Sequence, residues 1–402
     1  MPPELSRSER LVALVWLACG AWCAWFQWRH DLGLPLLDEV LVPLTRPSDL
    51  LASHYGHRIP LPRLILWGLY ELGGPAAMRA ASWSCPWIAA GVAARLARRL
   101  RGRTTAADIS FPLLLAGPWH AFGAIHAYDL HFGLPALLAV GSAYALLHRR
   151  ELCGVVLLGA CLGCGVNGVC LAIGLAACLP WCARSAPRGA AVVVGVCAFG
   201  AALTAGASGA ELPEVPVTDA LYTFGALTLT VLDRVPARWP LTVAPVALFW
   251  LTAGAVTLRF GVTRTRLLPL WGGLVGASSA WLAIALTRAV PAGEWAWVPG
   301  RYQTLVALPY VFALLLVARA QRRRAAALAP AVVLTLSLLA ALPSALAHAD
   351  EIGAWVDGLE SDTRVAIQSL WTPEELATHY GERLFPYDRD VLVRSLRAVL
   401  DR

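Results

Sequence analysis

The chain has 402 residues, 58% of them hydrophobic and 15% charged, with a mean hydropathy of +0.60 and a formal net charge of +7. Soluble domains run at roughly 45–50% apolar and about 25% charged, so this composition excludes a soluble enzyme on a single anchor. It predicts an all-α, polytopic transmembrane bundle. All 33 basic residues are arginine and Asn167 is the sole asparagine, a bias that reads as a GC-rich bacterial genome. The positive charge is spread by side rather than gathered into a patch, so no nucleic-acid partner is expected.

In chain order, the apolar run 11–28 follows Arg7 and Arg10 and lacks a small-residue cleavage site. It predicts a retained first helix, with the N-terminus in the cytoplasm by the positive-inside rule. Residues 29–76 then form a first outer loop. Within it, 61–74 is interrupted by Arg63 and Glu71 and reads as an interfacial amphipathic helix. The second span follows at 77–97 and returns the cluster Arg95, Arg98, Arg99, Arg101 and Arg103 to the inside.

Residues 108–119 lead out and 131–147 lead back, with a loop between them that carries His120, His126, Tyr128, Asp129 and His131. The run 152–182 predicts a hairpin turning at Val166-Asn167-Gly168, which keeps Arg184 and Arg188 inside. Spans near 190–206, 240–259, 267–287, 303–318 and 328–346 bring the count to about eleven crossings of a bilayer that takes about 20 residues each. On this map over half of the 33 arginines face the cytoplasm, against four of 26 acids (Glu4, Glu9, Asp108, Glu151).

The expected organisation is a transmembrane domain, 1–346, and an extracytoplasmic helical tail, 347–402. In the tail, Thr372-Pro373-Glu374-Glu375 predicts a capping box with proline at the first helical position, and Gly381 a helix stop. The ten cysteines sit in or beside apolar runs and read as small hydrophobes. Cys161 and Cys164 have the spacing of a thiol pair, but no second pair or neighbouring histidine completes a zinc set.

Ionisable groups in a membrane protein are costly and mark sites, and here they gather in the outer segments. Asp38-Glu39 lies in the apolar stretch Leu36–Leu41. Adjacent acids point different ways, so one can face a cavity while the other makes structural contacts. Asp38 suits a general base, with Glu39 second, and Asp38 would be the ligand if a divalent metal is used. An interfacial cap is the competing reading of Asp38. His54, His57, Arg58 and Arg63 suit a phosphate at headgroup level, where arginine can hold two oxygens at once; attraction to anionic lipid explains them as well. Arg301-Tyr302 heads a late helix after a tryptophan-rich turn, and Arg301 there needs an anionic partner. His126, beside Asp129 and His131, is a further candidate contact to substrate.

This order of features resembles bacterial membrane glycosyltransferases of the GT-C superfamily, and in particular a polytopic group related to them. The resemblance rests on Asp38-Glu39 after the first span, on His54 to Ile59, on Pro118-Trp119-His120, on Asn167-Gly168 and on Gly300-Arg301-Tyr302. Two positions depart from the group's pattern: Tyr55-Gly56 stands before His57-Arg58 in place of asparagine and glutamate, and Gly300 replaces a serine. The resemblance implies a transferase at the outer face of the cytoplasmic membrane that moves a sugar from a polyprenyl-phosphate donor to a lipid, glycan or protein acceptor. Three rival classes remain open. One is a transporter or flippase, the second is an acyltransferase using His126 or His131, and the third is a non-enzymatic assembly scaffold whose outer tail binds a partner.

Overall fold

The computed structural model describes residues 5–31, 39, 41–42, 50, 58–182, 186–204, 216–230, 232, 239–259, 267–287, 299–321, 325–368, 372–384 and 389–400. Among these residues the secondary structure is helical throughout, with no strand.

Helix α1, Arg7–Arg29, opens on a capping box: the Glu9 amide donates to the Ser6 hydroxyl at 3.3 Å and the Ser6 amide to the Glu9 carboxylate at 2.8 Å. Helix α2, Pro60–Arg101, is two segments joined at a break, where Gly73 and Gly74 leave helical geometry and Pro75 starts the second segment. Gly74 has φ +64°, a conformation that glycine adopts without strain. The break separates the stretch expected to be interfacial from the expected second span.

After Gly102 the chain takes a run of short pieces: a single 3₁₀ turn at Ala106–Ile109, α3 (Ser110–Ala116), a turn at Pro118–His120, α4 (Ala121–Ile125) and a turn at Ala127–Asp129. Nearly all of it is buried. Residues 108–119 are therefore not one continuous crossing helix, and the irregular backbone lies inside protein, as an apolar surrounding requires. Helices α5 (Leu130–Leu147) and α6 (Glu151–Leu162) follow. Packing of Leu146 on Gly154, Leu157 on Gly141 and Cys161 on Pro135 makes them antiparallel.

Helices α7 (Val166–Ala176), α8 (Leu179–Cys182), α9 (Ala186–Thr204), α10 (Val217–Leu229), α11 (Trp239–Arg259), α12 (Leu268–Thr287) and α13 (Pro299–Gln321) complete the bundle, and α14 (Ala329–Gln368), α15 (Pro373–Leu384) and α16 (Arg389–Leu400) end the chain. The run 152–182 does fold back into separate helices, but the turn is Gly163–Gly165, before the expected Val166-Asn167-Gly168. Gly165 takes φ +83°, whereas Asn167 and Gly168 are already inside α7. Helix α10 occupies a stretch expected to be loop. Helix α15 has the expected capping box, with the Thr372 amide 2.7 Å from the Glu375 carboxylate, yet it runs through Gly381 to Leu384.

Among the described residues six segments are long and apolar enough to cross a membrane: Arg7–Arg29, Ala127–Leu147, Thr242–Arg259, Leu268–Leu286, Tyr302–Gln321 and Ala329–Leu359. Helices α6, α7 and α9 are apolar but shorter. The chain is thus a multi-pass helical membrane protein by its apolar segments. Helix α13 is the most deeply buried of the six, with 94% of its most apolar stretch inside the protein.

Small residues set the closest approaches. On α7 and α12 an added Cβ at Gly174 would lie 2.4 Å from the Gly272 carbonyl, and one at Gly276 would lie 2.8 Å from that of Cys170. The Gly272-x-x-x-Gly276 spacing thus lets two backbones touch, the packing mode favoured where lipid removes the hydrophobic driving force. Helices α1 and α2 are clasped by Trp16 and Trp87, stacked at 4.1 Å, each indole donating to the other's carbonyl at 2.8 and 2.9 Å. Each ring lies over the other helix's glycine, Gly91 or Gly20, four residues beyond the partner tryptophan. The helix α14 passes residue 346 without interruption, and its far half packs on α15, α16, Phe26 and α4.

Candidate functional site

Besides Arg63 near its start, helix α2 buries Arg79 and Arg101, 22 positions apart, about 33 Å along a helix. That spacing matches the hydrocarbon thickness of about 30 Å, and each arginine anchors a polar cluster at its own end. At Arg101 the charge is balanced locally: its guanidinium meets Asp108 at 2.8 and 2.9 Å and the Gln321 side chain at 2.5 Å. At Arg79 the cluster is richer in ionisable groups, and of the residues singled out in the sequence it contains Glu39, His126 and Tyr302.

Arg79 stands in the first turns of the segment that Pro75 opens and is 1% exposed. Its guanidinium donates to both oxygens of Glu39, at 3.2 and 2.6 Å, and to Asp31, just beyond the end of α1. Glu39, itself fully buried, accepts a further bond from the Ala127 amide. One carboxylate therefore joins the first loop, α2 and the 126–129 turn. Register is fixed nearby by Gln27, whose amide donates to the Ala76 carbonyl at 2.7 Å and accepts from the Trp83 indole at 2.7 Å.

Beside Ala127, His126 Nδ1 lies 3.0 Å from Asp129 Oδ1, with both side chains buried. Gly123 makes room for the Asp129 carboxylate, which would stand 3.3 Å from a Cβ there. With the proton on Nδ1, toward Asp129, Nε2 carries the lone pair and can accept a proton. His131 Nδ1 bonds the Tyr128 carbonyl, its ring packs on Phe132, and Phe132 meets Tyr302 edge-on at 5.0 Å. His120 ties the same region to α13, with Nδ1 3.3 Å from the Thr304 hydroxyl and Nε2 2.9 Å from the Leu114 carbonyl.

Of the residues expected to act, Glu39, His126 and Tyr302 are brought into this one connected cluster. Glu39 makes the structural contacts that one acid of an adjacent pair was expected to make. Arg58 and Arg63 flank the start of α2, where Arg58 and Ile59 lie against Gly165 and the Leu61 amide donates to the Gly163 carbonyl at 3.1 Å. Asp38, His54 and His57 lie outside the described residues, as does the side chain of Arg301, whose backbone belongs to the first turn of α13.

Sequence reasoning missed Arg79 and Asp31. Arg79 was visible as an interruption of an apolar run; the demand for an anionic partner, applied to Arg301, applied to it equally. Among the described residues no three His, Cys, Asp or Glu side chains form a metal-ligand set. The described acids fit a divalent cation poorly, because Asp31 and Glu39 converge on a guanidinium that would repel one. The described cysteines are free, and Cys161 and Cys164 are buried.

Comparison with family models, curated proteins and solved structures finds no match to this chain.

Proposed function

We propose that the chain is an integral-membrane glycosyltransferase that moves a sugar from a polyprenyl-phosphate donor to a lipid, glycan or protein acceptor. The observation that carries this reading is the Glu39 carboxylate, bound by Arg79 and the Ala127 amide. It fixes the residue next to Asp38 at the bundle end where the His126–Asp129 pair and the head of α13 meet. A buried ion pair is a firm anchor, since removing one partner leaves an uncompensated charge.

In this reading Asp38 takes the proton from the acceptor hydroxyl, whose oxygen then attacks the anomeric carbon. The sugar–phosphate bond breaks with inversion, and Arg58, Arg63 and Arg301 neutralise the departing polyprenyl phosphate. His54 and His57 add phosphate contacts, and His126 and Tyr302 border the sugar. The chain crosses the bacterial cytoplasmic membrane about eleven times, with its N-terminus inside and the tail from residue 347 outside, which puts the bundle end that holds Glu39 on the outer side. An Asp38→Asn variant should fold normally and lose about 10²–10⁴ in rate in transfer from a polyprenyl-phosphate sugar. Parental turnover would make the first-loop acid structural and remove the chemical basis of the proposal.

The His126–Asp129 bond favours a second reading, an acyltransferase in which His126 deprotonates the acceptor. His126→Asn would then abolish acyl transfer to an envelope lipid while Asp38→Asn left it intact.

A further inference from the structure

The end of the bundle opposite the Glu39 cluster carries a separate feature. Glu9 and Asp31 lie 22 positions apart across α1, about 33 Å at helical rise. Near Glu9 a groove of about 570 Å³ opens between α1 and α2, within the roughly 300–1,000 Å³ range of ligand clefts. Its walls include Val12, Ala13, Ile88 and Val92, with Trp16 set beside Gly91. Both reciprocal indole bonds of the Trp16–Trp87 clasp turn inward to backbone carbonyls, so the groove meets apolar ring surface. From Ile88 to Arg98 it follows 10 positions of α2, about 15 Å, or the depth of one leaflet.

Among the described residues the charge at its mouth is not balanced: Arg95 and Arg98 line it with a single acid, Glu9. Glu9 gives one oxygen to Arg98 at 2.7 Å and the other to the Ser6 amide at 2.8 Å. Arg95 is exposed and forms no ion pair among the described residues.

We infer that this groove is a binding site for an anionic glycerophospholipid, with one acyl chain between α1 and α2 and the phosphate at Arg95. The amphipathic shape requires an amphipathic ligand, and the uncompensated arginine selects a negative headgroup over a zwitterionic one. The site is distinct from the Glu39 cluster, so the inference stands or falls independently of the proposed reaction.

Native mass spectrometry of the delipidated full chain, titrated with phosphatidylglycerol, chain-matched phosphatidylcholine and a polyprenyl phosphate, tests it. Phosphatidylglycerol should bind more tightly than phosphatidylcholine. Arg95→Gln should weaken it about fivefold, equivalent to about 1 kcal/mol for one arginine near a membrane surface, and leave phosphatidylcholine unchanged. Arg150→Gln, at the exposed turn before α6, should alter neither. Equal affinity for the two phospholipids, an Arg95→Gln loss of polyprenyl-phosphate binding larger than its loss of phosphatidylglycerol, or an Arg95→Gln variant indistinguishable from the parent would each overturn the inference.

Discussion

Arg79 is the residue on which the candidate site depends mechanically. Its guanidinium is 1% exposed and shared between Asp31 and Glu39. Arg79→Gln should therefore destabilise the chain by about 3–5 kcal/mol, because two carboxylates lose their cation in a low-dielectric setting. Glu39→Gln should cost less, since the amide oxygen can still accept from Ala127. Unfolding in mixed detergent micelles measures both, and equal stability of Arg79→Gln and parent would make the pair incidental. The arginines assigned to phosphate separate differently: Arg58→Lys and Arg301→Lys keep the charge but lose the planar fork. Each should bind a polyprenyl-phosphate analogue more weakly while inserting and folding as the parent does.

At the scale of elements, close backbone approach decides the packing. Helices α7 and α12 meet through Gly174, Gly272 and Gly276, and the atoms an added Cβ would strike at Gly174 and Gly272 include backbone carbonyls. Backbone cannot rotate out of the way, so Gly272→Leu should exceed the usual overpacking cost of about 1–3 kcal/mol. Gly225→Ala on α10, where an added Cβ meets nothing within 4 Å, should be neutral or slightly stabilising. Comparing the two unfolding midpoints checks the argument. Trp16→Phe should keep the stacking but lose one indole donor, a cost of about 0.5–1.5 kcal/mol.

For the molecule as a whole, the proposed orientation predicts labelling by side. Single reporter cysteines at positions 45, 213, 294 and 360 of a cysteine-free chain should react from outside intact cells. Those at 102, 186, 264 and 322 should react only after permeabilisation. Labelling of 186 from outside would leave an odd number of crossings between α5 and α9 and reverse the remainder of the map. The continuity of α14 bears on the same scale: His30, capping α1, bonds Asp357 at 2.7 Å, so the tail is tied to the helix that delivers Asp31.

The sequence alone determined the class of protein and most helix positions. Scarcity of charge, apolar runs of membrane length and the Thr372 capping box are local properties, set by residues within a few positions of one another. It also marked Glu39, His126 and Tyr302 as chemically unusual, because an ionisable or aromatic group at the end of an apolar run is conspicuous wherever the chain folds. The tertiary structure alone decided what those groups meet. Glu39 and Arg79 are 40 positions apart and Glu39 and Ala127 are 88; a buried arginine demands an anion, but no local pattern names which one. The same reason explains α10, the break at Gly73–Gly74 and the turn at Gly163–Gly165. Each is fixed by a neighbouring helix or by φ at one glycine, and neither is encoded in the hydropathy of the segment itself.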